Sequence, residues 1–125
     1  MASQTSITGE QSQLIASAAL LNNGYSVSRP LVEESHDLVI EDRETGLFLK
    51  GQVKTILLRT DKKHPYYVVF SRKGNGKSYT KEEADVIIGV YNDEVYMIDN
   101  TKQQQEYWSK PHEAETKWKK LKPFK

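Results

Sequence analysis

A chain of 125 residues, 37% hydrophobic and 28% charged, fits one domain over residues 1–125, with a thin core under a well-solvated surface. With no cysteine it has no disulfides, thiolate chemistry or cysteine-based zinc sites, and no apolar run approaches the roughly 20 residues that span a bilayer. The net charge of +1 is unevenly spread: residues 51–81 carry eight basic side chains against Asp61 alone, whereas 1–50 carry three basic and seven acidic and 82–125 seven basic and nine acidic.

The opening "MASQTSITGEQ" has neither the basic start nor the apolar core of a secretory signal, so a soluble intracellular protein is expected. "TGEQSQLIASAALLNNG" predicts a helix. Thr8 and Gln11 have capping-box spacing, and Asn22-Asn23-Gly24 supplies the stop. Leu14, Ala18 and Leu21, with Ile15 and Ala19 beside them, form an apolar stripe expected to face the core. Glu10 would then lie in the first turn, where the helix dipole favours a carboxylate.

Extended segments follow. "YSVSRP" is short and ends at Pro30, and "HDLVIED" reads as a strand buried on both faces. "RETG" turns the chain into "LFLKGQVKTILL", and "YYVVFS" is a third strong strand. The loop "RKGNGKSY" leads through "TKEEA" to "DVIIGVY" and "EVYMID", two strands joined by a tight turn. The tail 100–125 predicts short helical pieces either side of Pro111. Trp108, Trp118, Tyr107 and Phe124 are read there as anchors onto the domain rather than base-stacking platforms. The order implies an α/β domain: a mixed, mostly antiparallel sheet with an N-terminal helix packed on it and short C-terminal helices.

Strand alternation places Lys50, Gln52 and Lys54 on one face and Leu49, Gly51 and Val53 on the other. A hairpin centred on Glu44 and Thr45 sets Asp37 opposite Gln52, and a register two longer in sum sets it opposite Lys54. A shift by one would send Asp37 to the other face. A carboxylate, an amide oxygen and an ammonium on one face suit a divalent cation beside a phosphate, because Mg²⁺ takes hard oxygen ligands and a nearby lysine can polarise the phosphate or activate water. A cross-strand ion pair on an exposed sheet would use the same residues for structure alone. His36, His64 and His112 match no zinc spacing.

Asp37 followed, after fourteen residues, by Gln52-Val53-Lys54 resembles the PD-(D/E)XK nuclease signature, with Gln52 in place of the usual acid. The helix "GEQSQLIASAALLNNG" and the strands "ADVIIGVY…VYMID" extend the resemblance over about residues 7–99, the expected core. It is closest to intron-encoded homing endonucleases with a Gln-x-Lys third motif, and next to archaeal-type Holliday junction resolvases. The resemblance implies a restriction-endonuclease-like core and a metal-dependent endonuclease hydrolysing DNA phosphodiesters, duplex-cutting or junction-resolving. It implies Mg²⁺, with Mn²⁺ able to substitute, bound by Asp37, Gln52, the Val53 carbonyl and Glu10. Lys54 would orient or activate the attacking water. It also implies a homodimer or larger assembly in the cytoplasm of a bacterial cell or phage-infected host. The proline that often precedes the aspartate is replaced by "SH".

The basic centre suits a phosphate-binding face, or a solvated lysine-rich loop. Arg72, Lys73 and Lys77, with Tyr79, Lys62 and Lys63, are the candidate DNA contacts. Gly76-Lys77-Ser78 mimics the end of a P-loop, but Ser71 stands where the pattern needs glycine, so no nucleotide cofactor is expected. A catalytically inactive DNA-binding protein of the same fold is the alternative function. An inhibitor or assembly factor would not need the basic loop for DNA affinity.

Overall fold

The computed structural model describes residues 3–32, 34 and 36–123. Helix α1 (Gln4–Asn22) leads to β1 (Tyr25–Ser28), β2 (Leu38–Asp42) and β3 (Phe48–Thr55). The chain then forms β4 (Leu57–Arg59), β5 (Tyr66–Phe70), β6 (Val86–Tyr91) and β7 (Glu94–Asp99). The tail adds β8 (Glu106–Ser109), a 3₁₀ turn (Pro111–Glu113), α2 (Ala114–Lys117) and β9 (Lys119–Leu121). A six-stranded sheet has the order β1-β2-β3-β6-β7-β9, and β4-β5-β8 form a second, small sheet. Every pairing is antiparallel except β3 with β6.

The mixed, mostly antiparallel sheet with its N-terminal helix is as expected. The long apolar segment after Gly46 serves both sheets, changing over at buried Ile56 between β3 and β4. The tail keeps its short helix but gains β8 and β9, which close the edges of the two sheets. Tyr107 and Trp118 are buried as expected of anchors, whereas Trp108 is half-buried against Tyr66 and Arg59. Phe124 lies outside the described residues.

The parallel β3–β6 pair fixes the layering, because a parallel return needs a crossover. Here residues 56–85 cross over one face of the large sheet and bury Ile56, Tyr67, Val69 and Tyr79 against Ile87, Tyr96 and Ile98. On the other face α1 packs Ala16, Ala19 and Leu20 against Leu38, Ile40, Val53, Val86 and Ile88. Each large aliphatic fully buried there contributes about 1.5–3 kcal/mol. At Gly51, on that face, a Cβ would stand 2.7 Å from Ile40 Cδ1, so the end of that side chain would have to shift.

Helix α1 starts a turn earlier than the capping box suggests. Ser3 is the N-cap, its Oγ accepting the Ser6 N–H at 3.1 Å. Thr8 and Glu10 are therefore interior, and Glu10 lies beyond the first turn where the dipole acts. The C-terminal stop is as read, with Asn23 capping and Gly24 at φ +93°. The buried face is rotated from the one expected: Ala19 and, in part, Ile15 pack inward as read, together with Ser12, Ala16 and Leu20, while Leu14 and Leu21 are 58% and 53% exposed. At its middle the helix approaches the sheet closely, with the small Ser12 and Ala16 facing inward, as the 2.8 Å Ser12 Oγ–Thr55 Oγ1 hydrogen bond shows. Among the described residues, no helix is long and apolar enough to cross a membrane.

Candidate active site

The β2–β3 register is the one centred on Glu44 and Thr45: Leu38 pairs with Gly51 and Val39 with Lys50. Asp37 lies one step before β2, opposite Gln52, and its N–H donates to the Gly51 carbonyl at 2.9 Å. The Val53 N–H in turn donates to Asp37 Oδ2 at 3.0 Å. These two backbone bonds fix the carboxyl at the head of the hairpin. The Val53 side chain enters the α1-side core.

On β3, Gln52 and Lys54 lie beside Ile87 and Gly89 of β6, on the face covered by the crossover. They are half-buried polar residues where the neighbouring positions are apolar. The Lys54 ammonium lies 5.2 Å from the centroid of Tyr79 and donates to the Arg72 carbonyl at 3.3 Å. Asp37 and Lys54 act on each other electrostatically without a salt bridge. Burial raises the Asp37 carboxyl above its usual value, against the lowering effects of the Val53 N–H and of the charges on Lys54, His36 and Arg29. Burial lowers Lys54 below the usual ammonium range, against the attraction of Asp37. In both groups desolvation outweighs the mutual attraction, so each charge is under-compensated. No hydrogen bond of the Gln52 side chain is formed within the described residues. One carboxylate with an oxygen to spare and one free amide suit a hard cation, and the ammonium suits a phosphate.

Glu10 is not brought into contact with this trio. Its carboxylate accepts from Arg29 Nη2 at 2.9 Å, both side chains about half exposed. Arg29, just past β1, is also one of the cations acting on Asp37. It therefore stands electrostatically between the two carboxylates. Among the described residues no three histidine or acidic side chains gather around one point.

The basic candidates divide. Arg72 is ion-paired with Glu106 at 2.6 Å, and Lys73 with Glu83 at 2.9 Å. Glu83 also accepts from the Thr80 N–H, and its carboxyl is lowered by that bond and by Lys73. Lys62, Lys63 and Lys77 are exposed and have no carboxylate partner among the described residues. The loop from Lys73 to Lys77 is a tight hairpin closed by the Lys73 N–H to Lys77 carbonyl bond at 2.8 Å. Tyr79 is only 6% exposed and serves as the floor beneath Lys54, not as an open surface group. Burial and the nearby Asp37 charge both raise its hydroxyl above the usual value.

Two supporting residues escaped the sequence reading. Arg29 had no visible partner in the sequence. Asn100 follows a strand and looks like an ordinary turn residue, yet it is fully buried. Its Nδ2 donates to the Tyr79 and Ala84 carbonyls at 3.0 Å each, and its Oδ1 accepts from the Tyr107 hydroxyl at 2.7 Å. Asn100 thus pins the segment that carries the floor of the site.

A helix-backed mixed sheet with an aspartate heading one strand and Gln-x-Lys on the next defines a PD-(D/E)XK nuclease fold. The chain belongs to the PD-(D/E)XK endonuclease family, which matches residues 3–120. Among solved structures it is similar to the bacterial homing endonuclease I-Ssp6803I, with 25% identity and a TM-score of 0.68 over 86% of this chain and 78% of that one. No curated protein matches at a significant level.

Proposed function

We propose that this chain is a metal-dependent DNA endonuclease that hydrolyses phosphodiester bonds, with Asp37, Gln52 and Lys54 as its working residues. The observation that carries the proposal is the half-buried Asp37 and Lys54, charged where the neighbouring positions are apolar, with Gln52 opposite Asp37 and its amide without a hydrogen bond among the described residues. Two opposite charges held half-buried without touching cost stability, and each is relieved by a further charged partner.

Asp37 and Gln52 would hold the divalent cation, Mg²⁺ or Mn²⁺. When bound, that cation offsets the negative charge that builds on the phosphate as the attacking oxygen approaches. Lys54, supported by the Tyr79 ring and the Arg72 carbonyl, holds its ammonium where it can orient the attacking water and the phosphate oxygens. The Val53 N–H keeps the Asp37 carboxyl aimed. Glu10 joins only if Arg29 releases it, which the arrival of a DNA phosphate for Arg29 to bind would favour. The similar structure is that of a homing endonuclease, which favours duplex DNA as the substrate over a branched junction.

The test is cleavage of supercoiled plasmid and of a labelled four-way junction with Mg²⁺, Mn²⁺ or EDTA, for wild type and Lys54→Ala. Metal-dependent cutting of plasmid, reduced at least about 100-fold in the variant, is expected. Preference for the junction would move the reading to a resolvase. Binding to both DNAs with no cutting under any metal would overturn the enzyme and leave a DNA-binding protein of nuclease fold.

The grip on DNA is assigned chiefly to Lys62, Lys63 and Lys77, because Arg72 and Lys73 are already neutralised within the chain. Replacing Lys77 by Ala should weaken binding to all DNA sequences alike and reduce the slope of log affinity against log salt by about 1. Replacing Lys73 should change that slope less, because Glu83 already holds its charge. Binding titrations at several salt concentrations check both; equal changes would show that the Lys73–Glu83 pair opens on DNA.

A further inference from the structure

We propose, on the endonuclease reading above, that the β4–β5 hairpin is a ribbon that enters the DNA major groove beside the cut, and that Arg59 on it reads a guanine. The small sheet has two unlike faces. Its inner face gives Tyr67, Val69 and Tyr107 to the core. Its register sets Arg59 beside Tyr66, and Leu57 and Trp108 either side of Val68, on the outer face. None of these outer side chains belongs to either core: Leu57 is 48% exposed, and Arg59, Tyr66 and Trp108 are half-buried against one another. β4 is the free edge of the sheet.

Arg59 is held in a particular way. Its Nε donates to Asp61 Oδ1 at 3.1 Å and its Nη2 to Asp61 Oδ2 at 2.6 Å, and the guanidinium lies 5.2 Å from the centroid of the Trp108 ring. The carboxylate takes the side edge of the fork. The end edge, Nη1 with the second proton of Nη2, makes no hydrogen bond within the described residues. Two parallel donors on that edge match O6 and N7 of guanine, the acceptor pair displayed in the major groove. Asp61 cancels the charge that a phosphate would seek, so what Arg59 offers DNA is a fork already aimed. Exposed ion pairs add little to stability, and orienting the fork gives this one a use. Leu57, two residues earlier on the same face, can meet a thymine methyl.

The surroundings suit the same partner. Lys62 and Lys63 lie at the hairpin tip, exposed and without a carboxylate among the described residues, where they can hold the phosphates that flank the groove. A two-stranded ribbon is an element the major groove admits. A run of contacts ties the outer face to the site. Trp108 Nε1 donates to Glu106 Oε1 at 2.9 Å, Glu106 Oε2 accepts from Arg72 Nη2 at 2.6 Å, and the Arg72 carbonyl accepts from Lys54 at 3.3 Å. Along the chain Arg59 is five residues past Lys54, so their Cα atoms stand at most about 18 Å apart. The guanine should therefore lie within about one helical turn, roughly 34 Å, of the cleaved phosphate.

The test uses a pool of duplexes with a randomised segment. One sample, retained by the full chain in EDTA or Ca²⁺, is recovered and sequenced; another is cut in Mg²⁺ and sequenced at its ends. Wild type should favour guanine at one position within a turn of the cut, by about tenfold or more. Arg59→Lys, which keeps the charge but not the fork, should lose that preference and keep the slope of log affinity against log salt. Asp61→Ala should weaken the preference and raise affinity for unselected DNA, because it releases a positive charge. Lys62→Ala should weaken binding to all duplexes alike and lower the slope by about 1. Circular dichroism should be unchanged in each variant. The same guanine preference in Arg59→Lys, or no guanine preference in either wild-type sample, would overturn the reader while leaving the cutting intact. Neither retention nor cutting of any duplex would overturn the endonuclease reading with it.

Discussion

Asp37→Asn is expected to lose metal-dependent DNA cleavage by about 10³-fold or more while melting at a higher temperature than wild type at neutral pH. The two effects have one origin. Burial holds the Asp37 carboxyl above its unfolded value of 3.8, so its contribution to stability is complete below that value and is lost as pH rises through the folded one. Burial holds Lys54 below its unfolded value of 10.5, so its contribution is complete above that value and lost as pH falls through the folded one. Where both groups carry their charges, neither contribution is present. Asparagine is isosteric with aspartate, and its Oδ1 can still accept the Val53 N–H. The substitution therefore removes the buried charge and keeps the bond. A gain of about 0.5–2 kcal/mol is typical when a functional site is relieved in this way, or a few degrees in a domain of this size.

Thermal unfolding from pH 4 to pH 7 checks the sign. The advantage of Asp37→Asn should be small at the acid end and grow as pH rises through the folded Asp37 value. Adding Mg²⁺ should raise the midpoint of wild type and leave the variant unmoved, since only a state that binds the cation is stabilised by it. A variant that melts below wild type at neutral pH would mark Asp37 as a structural residue. One that still cuts DNA would remove it from the chemistry.

Asn100→Ala should be among the most destabilising single changes available to this chain, at about 3–5 kcal/mol. The side chain is fully buried and saturates three partners: the carbonyls of Tyr79 and Ala84 and the hydroxyl of Tyr107. Alanine strands all three in a site that water enters poorly, and each unsatisfied buried group costs about 1–3 kcal/mol. The midpoint should fall by roughly 10–20 °C. Because the Tyr79 backbone is one of the partners, the floor under Lys54 loosens as well. Cleavage should therefore decline more steeply with temperature than the fraction folded. Unfolding followed by circular dichroism beside cleavage at matched temperatures separates the two effects. A loss below about 1 kcal/mol would show that water replaces the amide, and the assignment of Asn100 as the anchor would fail.

β1, β2, β3, β6 and β7 of the large sheet were legible because their signals are local. The turn at 43–46 narrowed β2 and β3 to two registers, of which the chain adopts the one centred on Glu44 and Thr45; Leu38 and Ile40 are buried as read, whereas Val39, expected to be buried on the other face, is half-buried. The placement of Asp37 opposite Gln52, with Lys54 on the same face, was legible for the same reason, since all three lie on one hairpin. What the sequence hid depends on distant partners. Helix α1 has two apolar faces of similar strength, and the choice between them is made by the close approach of Ser12 to Thr55, which periodicity does not encode. β8 and β9 are four and three residues long and become strands only because β5 and β7 present free edges. Glu10 was assigned to the site from the resemblance, and Arg29, nineteen residues further on, holds its carboxylate. Tyr79 was read as a surface group because the loop before it is polar, yet its ring completes the core under Lys54.

The crossover between β3 and β6 separates two kinds of inheritance. On the proposed reading the chemistry lies on β3 and at the head of β2, and the register of β3 is locked on one side by β2 and on the other by β6. The hairpin from Lys73 to Lys77 lies within the crossover and pairs with no strand of the large sheet; its own backbone bonds and the isolated bridge between Arg72 and Ser78 close it. Doubling the length of such a loop adds only about 0.6 kcal/mol of closure entropy, and its tip makes no demand on the position of Asp37 or Lys54. On the proposed reading, the grip on the DNA backbone can thus strengthen, weaken or lengthen at that tip without a compensating change in the strands that carry Asp37, Gln52 and Lys54.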